Sequence, residues 1–270
     1  RIKIILAVVF VLAVAFFAAK SLIKPGKRSV SPPAGISRTV KIAPKIQPAP
    51  AKARMAIILD DWGHSTVLLD DVAAIGRPLT LSILPNLEHS RVIAEFAKSR
   101  GLGVMLHMPM QPEGKNQPLE AHTILISMSE DEIHKYLDEA LASVPYVAGV
   151  NNHQGSAATS DERVMRAVLA HLKKKGLFFV DSLVVSTSVG ARVAREAGIR
   201  FLKRDVFIDN RPVVDAIMES LKQAQQVALK RGKVVVIGHD KHATVEAIKR
   251  MDPDLEKNGV KLVLVKEFVE

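Results

Sequence analysis

Two adjacent carboxylates, Asp60 and Asp61, follow a short aliphatic run over residues 57–59 and precede Trp62 and Gly63. Such a run is typical of a strand buried on both faces of a parallel sheet. In folds of this kind, chemistry is placed where strands give way to loops. Neighbouring strand residues point to opposite sides, so the sequence predicts separate functions for the two carboxylates, one binding a metal ion and the other acting as a base. Alternatively, one Asp only caps the following helix.

Other polar residues of the types used in catalysis also follow predicted strands. Because the carboxyl ends of parallel strands meet at one edge of a sheet or barrel, we expect these side chains to share an edge with Asp60 and Asp61. The six remaining histidines fall in helical or loop positions and are predicted to lie at the surface. The residues at the predicted edge are His107, Asn151, Asn152, His153, Asp181, Asp209 and His239.

One carboxylate and two imidazoles with open positions left over suit a catalytic Zn²⁺ or a similar divalent metal. We choose Asp61, His107 and His153 as the ligands. A bound metal lowers the pKa of its water, and Asp60 is predicted to take that water's proton. His239 is then predicted to protonate a leaving amine as the general acid.

Asp181 is predicted to orient or charge-balance a cation of the active site, such as His239. The predicted arrangement suits hydrolysis of an amide or ester without a covalent intermediate. No G-x-S-x-G motif is present, and the chain has no cysteine, which excludes a Cys–His hydrolase. The remaining polar edge residues, Asn151, Asn152 and Asp209, are assigned to substrate contact. Trp62 is assigned there as well, as a platform for a sugar ring, with packing in the core as an equal alternative.

These residues are positioned by strand-like apolar runs that alternate with amphipathic, helix-like stretches from Met55 onward. Seven or eight such β/α units in about 216 residues favour a closed or nearly closed parallel barrel. A doubly wound open sheet is the alternative, although no G-x-G-x-x-G follows the first strand. The predicted strands are 55–60, 79–84, 103–107, 147–150, 177–181, 199–203 with a possible continuation through 206–208, 233–238 and 261–265. The predicted helices are 65–75, 89–100, 129–142, 160–175, 187–197, 212–231 and 243–257.

The formal charge of +10 is concentrated at one end of the chain. Eleven of the 38 Lys and Arg residues, and no Asp or Glu, fall in residues 1–54, so 27 basic residues stand against 28 acidic ones in the remainder. A nearly neutral domain gives no reason to expect a nucleic-acid partner.

The first 23 residues contain sixteen uninterrupted apolar residues, 4–19, with basic residues on both sides. This pattern predicts either an uncleaved signal anchor or a cleaved signal peptide. In both cases the rest of the chain is predicted to be exported, either held on the periplasmic side of the inner membrane or free in the periplasm. Residues 24–54, rich in Pro, Ala and Lys, are predicted to form an extended linker. Residues 55–270 form the predicted catalytic domain.

Six stretches of this domain resemble the divergent polysaccharide deacetylase family, a branch of the carbohydrate esterase 4-type deacetylases. They are 59–63 (LDDWG), 106–110 (LHMPM), 149–156 (GVNNHQGS), 179–182 (FVDS), 207–210 (FIDN) and 237–239 (IGH). The resemblance implies a deformed (β/α)7-type barrel with a divalent-metal site. It also implies an exported bacterial protein that removes N-acetyl groups from a cell-envelope glycan.

The sequence departs from the classical deacetylases at two positions that concern the site. Those enzymes place two metal-binding histidines four residues apart after the third strand, whereas this chain has His107 followed by Gln111. The missing ligand is therefore assigned to His153, on another strand. The classical Arg-x-Pro-Tyr stretch is replaced by Asn151, Asn152 and His153. A non-catalytic glycan-binding or scaffolding protein of the cell envelope is thus the alternative function, and a phosphate-handling barrel enzyme is a third.

Overall fold

The computed structural model describes residues 51–114 and 117–269, in which strands and helices alternate as predicted. The strands are β1 (Ala53–Trp62), β2 (Thr80–Ile83), β3 (Gly103–Met110), β4 (Gly149–Gln154), β5 (Phe178–Asp181), β6 (Phe201–Lys203), β7 (Val206–Phe207), β8 (Lys233–His239) and β9 (Val260–Val263). The helices are α1 (Leu69–Ala74), α2 (Ser90–Ser99), α3 (Glu130–Ser143), α4 (Glu162–Lys174), α5 (Gly190–Ala197), α6 (Val214–Arg231) and α7 (His242–Lys257).

All strand pairs of the described sheet are parallel, and they run in the order β6-β5-β4-β3-β2-β1-β8-β7. Strand β9 pairs with the first residues of β1, from Ala53 to Ala56. The short segment between β6 and β7 joins the two edges of the sheet. Arg204 N donates to Asp181 O on β5 (2.9 Å), and the next residue, Asp205, donates through its N to Val235 O on β8 (2.8 Å). The sheet is therefore a deformed barrel, which confirms the predicted fold class.

The possible continuation of the sixth strand through 206–208 is not one strand in the structure. Strand β6 pairs with β5, whereas β7 pairs with β8 on the other side of the barrel. The change occurs over two residues, because the chain there must cross from one edge strand to the other.

Two apolar clusters follow from the alternation of side chains along each strand. Met55, Ile57 and Leu59 belong to the outer cluster, between the sheet and the helices. Ala56 and Ile58 belong to the inner cluster, which fills the barrel. The inner cluster also contains Met105, Phe178, Val180, Val235, Ile237, Val263, Val265 and Phe268.

The inward-facing positions change from apolar to polar near the carboxyl ends of the strands. Ile58 is followed two residues later by Asp60, Met105 by His107, Val180 by Ser182 and Ile237 by His239. Side chains two residues apart on a strand share a face, so these polar groups form a layer on top of the apolar barrel interior.

Gly149 shows how closely the barrel interior is packed beneath that layer. A Cβ atom at this position would lie 2.5 Å from the ring of Phe178, which occupies the interior beside β4. Only glycine leaves room for the ring, and Phe178 is 1% exposed. The glycine thus allows an aromatic floor directly below Asn151, two residues further along β4.

The predicted signal segment (1–23) lies outside the described residues, as does the predicted linker except for its last four residues. Strand β1 begins at Ala53, two residues before the predicted start of the domain. Within residues 51–114 and 117–269, no helix has both the length and the hydropathy required to cross a membrane.

Candidate metal centre

Three predicted ligand residues converge at the carboxyl edge of the barrel, although they come from three different strands. Asp61 Oδ1 lies 3.2 Å from His107 Nε2 and 3.1 Å from His153 Nδ1. The two imidazole nitrogens lie 3.2 Å from each other. In the described part of the chain, this is the group of His, Asp and Glu side chains whose spacing suits a metal ion. We call Asp61, His107 and His153 the ligand cluster.

The triangle formed by these three atoms has the size that a divalent ion requires. Ligands about 2.0–2.1 Å from a tetrahedral Zn²⁺ lie about 3.3 Å apart. An octahedral ion with bonds of similar length brings neighbouring ligands to about 3.0 Å. The observed 3.1–3.2 Å falls between these values, so the ligand cluster fits either geometry with further positions open.

The backbone of Asp61 brings both carboxylates to the same side of the sheet. Its φ is 68°, in the left-handed region that few non-glycine residues adopt, and the pairing of β1 with β2 shifts register between Leu59 and Trp62. Asp60 and Asp61 therefore both approach His107, and Trp62 turns into the outer cluster. The prediction that the two carboxylates point to opposite sides is wrong for this reason.

Asn151 holds the other edge of His107. His107 Nδ1 donates to Asn151 Oδ1 (2.9 Å), which leaves Nε2 to face Asp61 and His153. Asn151 Nδ2 donates to both oxygens of Asp60 (2.9 and 3.1 Å), and Ser82 Oγ donates to Asn151 Oδ1 (2.5 Å). Asn151 is fully buried, so it has no surface for the predicted substrate contact. It fixes the tautomer and orientation of His107, a candidate metal ligand, instead.

The electrostatic environment shifts the pKa values of the two carboxylates in opposite directions. Burial raises the pKa of Asp61, but hydrogen bonds and charges from His107 and His153 outweigh it and hold this pKa well below its usual range. Burial raises the pKa of Asp60 above its usual value, and the charge of His107 and the bond from Asn151 offset this only in part. Burial lowers the pKa of His107, but the nearby carboxylates raise it to about 9.

His239 reaches the same edge from β8 and is oriented by Asp209. Asp209 Oδ1 accepts from His239 Nδ1 (2.8 Å), while Oδ2 accepts from His239 N and from Thr244 Oγ1, each at 2.8 Å. His239 Nε2 lies 3.9 Å from Asp61 Oδ2, and the imidazole ring stacks on Phe207. Burial lowers the pKa of His239, but the bond to Asp209 and nearby negative charges raise it overall.

The assignment of Asp181 as the partner of His239 needs correction. Asp181 Oδ2 accepts from Ser188 Oγ (2.5 Å), and Oδ1 accepts from Leu183 N (2.8 Å), so Asp181 braces the loop after β5. Asp209, which was assigned to substrate contact, is buried and is the carboxylate bonded to His239. The sequence does not distinguish the two residues, because each follows a strand at the same edge.

The other residues assigned to substrate contact are also buried. Asn152 Nδ2 donates to Gln154 O (2.7 Å) and Oδ1 accepts from Ser182 N (2.9 Å), which ties β4 to the loop after β5. Trp62 is 1% exposed, so its ring offers no open face for a sugar to stack on. Gln111 Oε1 accepts from Ile126 N (2.8 Å), so this amide braces the long loop after β3.

Asp240 is a residue of this edge that the sequence does not single out. It follows His239 and is half-buried, and burial together with the negative charge of Asp61 raises its pKa to about 7. The signal that would have found it is its position directly after the last predicted catalytic residue of β8.

Residues 57–269 match the divergent polysaccharide deacetylase family. The chain belongs to this family, as the resemblance in its motifs predicts. YibQ, an uncharacterised protein of Escherichia coli strain K12, is 34% identical over 198 residues, which cover 73% of this chain and 62% of YibQ. An uncharacterised protein of Haemophilus influenzae is 33% identical over 200 residues, covering 73% of this chain and 70% of that protein. The chain thus spans less than two thirds of the length of YibQ.

A crystal structure of an uncharacterised protein from Agrobacterium tumefaciens C58 has the same fold. The two structures superpose with a TM-score of 0.77 at 20% sequence identity, over 83% of this chain and 91% of the other. This likeness concerns the fold alone.

Proposed function

We propose that this protein is a metal-dependent hydrolase that removes acyl groups, N-acetyl groups in particular, from a glycan of the cell envelope. The observation that carries the proposal is the convergence of the ligand cluster with the Asp209–His239 pair at one edge of the barrel. Family membership supports the substrate class, since the family is described as polysaccharide deacetylases. Zn²⁺ is the proposed ion, because one carboxylate and two imidazoles are a common catalytic zinc set.

A divalent ion in the ligand cluster would polarise the carbonyl oxygen of the acyl group and lower the pKa of a water molecule. The protein's own groups then move the protons. His239 is positioned to protonate the leaving nitrogen through Nε2, because Asp209 occupies Nδ1. Asp60 is the proposed proton acceptor, and its raised pKa brings it closer to the pH at which a carboxylate works well as a base.

We further propose that the domain works outside the cytoplasm, on the periplasmic side of the inner membrane or free in the periplasm. The support is the predicted signal segment in residues 1–23 and the predicted basic, proline-rich linker behind it. A membrane would then be a partner through that segment, and the envelope glycan would be the substrate.

Elemental analysis tests the ligand cluster directly. The protein purified without a metal-chelating tag and reloaded with Zn²⁺ is expected to hold about one ion per chain, and His153→Ala is expected to hold none. His64→Ala is the matched control, because His64 also lies beside the edge but its side chain is 57% exposed and its nearest charged partner is Glu120, at 3.9 Å. No ion in the reloaded wild type would reject the metal-dependent hydrolase.

Asp60→Asn separates binding from turnover. The variant is expected to keep the ion, since Asp60 is not in the ligand cluster, and to lose release of acetate from an N-acetylglucosamine tetramer. Loss of the ion in this variant would show that Asp60 supports the ligands and is not the base.

A non-catalytic glycan-binding protein is the second candidate function. The observation in its favour is Gln111, which stands where classical deacetylases have a second histidine and is bonded to the backbone of Ile126. A loaded wild type that binds the tetramer without releasing acetate would support this candidate.

A further inference from the structure

The segment that closes the barrel leads directly to a contact with His239, the proposed general acid. Arg204 and Asp205 cross from β5 to β8, and the two residues of β7 follow them. Phe207 on β7 pairs with Ile237 on β8, and His239 stands two residues beyond Ile237. Side chains two residues apart on a strand share a face, so Phe207 and His239 are diagonal neighbours on the inner face of the barrel.

Three flat groups are in contact in this region. The central guanidinium carbon of Arg204 lies over the Phe207 ring, 4.2 Å from its centre. The rings of Phe207 and His239 are nearly parallel, at 9°, with their centres 5.6 Å apart. Both contacts fall within the distances at which a cation is attracted to an aromatic face and offset aromatic rings stack. Phe207 therefore contacts both the guanidinium group and the imidazole.

The guanidinium group is itself fixed by the loop after β5. Arg204 Nε donates to Ser182 O (2.7 Å), and its Nη2 donates to Leu183 O (2.8 Å). Ser182 Oγ accepts from Asn151 Nδ2 (3.3 Å), and Asn151 is the residue that also bonds to His107. Arg204 thus links the hydrogen-bonded network around the ligand cluster to the segment that contacts His239.

The contacts of Arg204 use the shape of arginine more than its charge. The residue is half-buried, and no Asp or Glu among residues 51–114 and 117–269 forms an ion pair with it. Burial lowers the pKa of Arg204, and the charges of Asp181 and Asp205 offset this only in part. A planar group with donors along its edge can bond to carbonyl oxygens and also cover an aromatic face, whereas a lysine ammonium group cannot.

The imidazole of His239 needs a second contact because Asp209 holds only one of its edges. The hydrogen bond at Nδ1 selects the tautomer but leaves the ring plane free to tilt. Phe207 lies against the ring and restricts this tilt. The direction of Nε2 matters for a general acid, since misplacement of a reacting group by about 1 Å can cost about 100-fold in rate.

We propose that Arg204 is a positioning residue for the general acid, because it holds Phe207 against the imidazole of His239 and so keeps Nε2 directed towards the ligand cluster. In this arrangement Arg204 touches neither the substrate nor the metal ion and acts through Phe207. The inference rests on the proposed function, since it takes His239 as the group that protonates the leaving nitrogen.

The first test follows the ring of His239 by NMR in the metal-free protein, with its resonance assigned by loss in His239→Gln. The ring current of Phe207 displaces this resonance, and Phe207→Leu defines its position without the stacked ring. Arg204→Gln and Arg204→Lys are each expected to move the resonance towards that position, when neutral rings are compared at high pH. Arg200→Gln is the matched control and should leave the resonance in place. Arg200 also donates to a backbone carbonyl, Gly176 O, but it is exposed and lies over none of the described aromatic rings.

The second test measures acetate release from the N-acetylglucosamine tetramer by the zinc-loaded protein. In both Arg204 variants kcat is expected to fall about 100-fold. KM and the zinc content should stay unchanged, because Arg204 is not in the ligand cluster and acts on the transition state only through His239. Arg200→Gln should keep the kcat of the wild type.

Arg204→Lys keeps the charge and most of the length of the side chain, so it serves if Arg204→Gln does not fold. An unmoved resonance or a wild-type kcat in either folded variant would overturn the positioning role. Unfolding of both variants would also overturn it, since Arg204 would then hold the barrel together and not one ring.

These outcomes are distinct from failure of the proposed function. A moved resonance in the Arg204 variants, with no acetate release by the wild type, would reject the hydrolase and keep Arg204 as the residue that positions His239. Acetate release with equal kcat in the wild type and the variants would keep the hydrolase and reject the positioning role.

Discussion

Replacement of Asn151 by alanine is expected to weaken metal binding without removing any ligand. The side chain accepts from His107 Nδ1 and Ser82 Oγ and donates to Asp60, all in the buried polar layer. Without it, His107 is free to change tautomer and ring orientation. Loss of a group that orients a metal ligand typically reduces affinity about 10–100-fold. We therefore expect the affinity for Zn²⁺ to fall by that factor.

The same substitution is expected to destabilise the fold. Asp60, His107 and Ser82 each lose a buried partner, and an unsatisfied buried group costs about 1–3 kcal/mol. Contacts within one network are not additive, so a total of about 3–6 kcal/mol is expected. A domain of this size has about 5–15 kcal/mol of stability, so the variant should fold while melting well below the wild type.

Asn152→Ala is the matched control for Asn151→Ala. Asn152 is the adjacent residue, equally buried, and its amide bonds to Gln154 and Ser182 and not to the ligand cluster. It should lose stability but keep its affinity for Zn²⁺, measured by competition with a chelating dye on folded protein. Wild-type affinity in Asn151→Ala, or an equal loss in both variants, would refute the reasoning.

Three further predictions follow from the structure. Because the nearby carboxylates raise the pKa of His107 to about 9, a proton on this residue competes with the metal ion below that pH. The affinity for Zn²⁺ should therefore rise about tenfold between pH 7 and 8. Calorimetry in two buffers should detect about one proton released per ion bound. Gly149→Ala should cost about 1–3 kcal/mol in chemical denaturation because its Cβ meets the ring of Phe178, and Phe178→Leu in the same chain should restore part of that loss. Asp209→Asn should lower the pKa of His239, followed by NMR, because the bond from Asp209 is the main influence that raises it.

The alternation of strands and helices was predictable because the hydrophobic period changes visibly between them along this chain. Every predicted strand and helix is present, with bounds that differ by a few residues. The split between β6 and β7 was not predictable, since it depends on the barrel closing at Arg204 and Asp205. Closure is a property of the whole sheet, and the local pattern of three or four residues contains no trace of it.

The ligand cluster was predictable because its members are chemically distinctive and stand at strand ends. The hydrogen-bond partners of the edge residues were not predictable, because Asp181 and Asp209 both follow a Phe and a β-branched residue at the end of a strand. Only their contacts separate them: Asp209 meets His239, and Asp181 meets Ser188. The left-handed backbone of Asp61 was missed for a related reason, since simple alternation of side chains assumes a regular strand.

The geometry of the candidate site depends on the register of the parallel strands. Asp60 pairs with His239, and His107 pairs with Asn151, so the polar layer lies at one height above the apolar interior. A slip of one residue in either pair would turn a polar group into the outer cluster and an apolar one into the site. Burial of the apolar side chains selects the strand register, and the register in turn determines where the side chains of the candidate site lie. The irregularity at Asp61 adds a second carboxylate to the same layer without disturbing the pairing of β1 with β8.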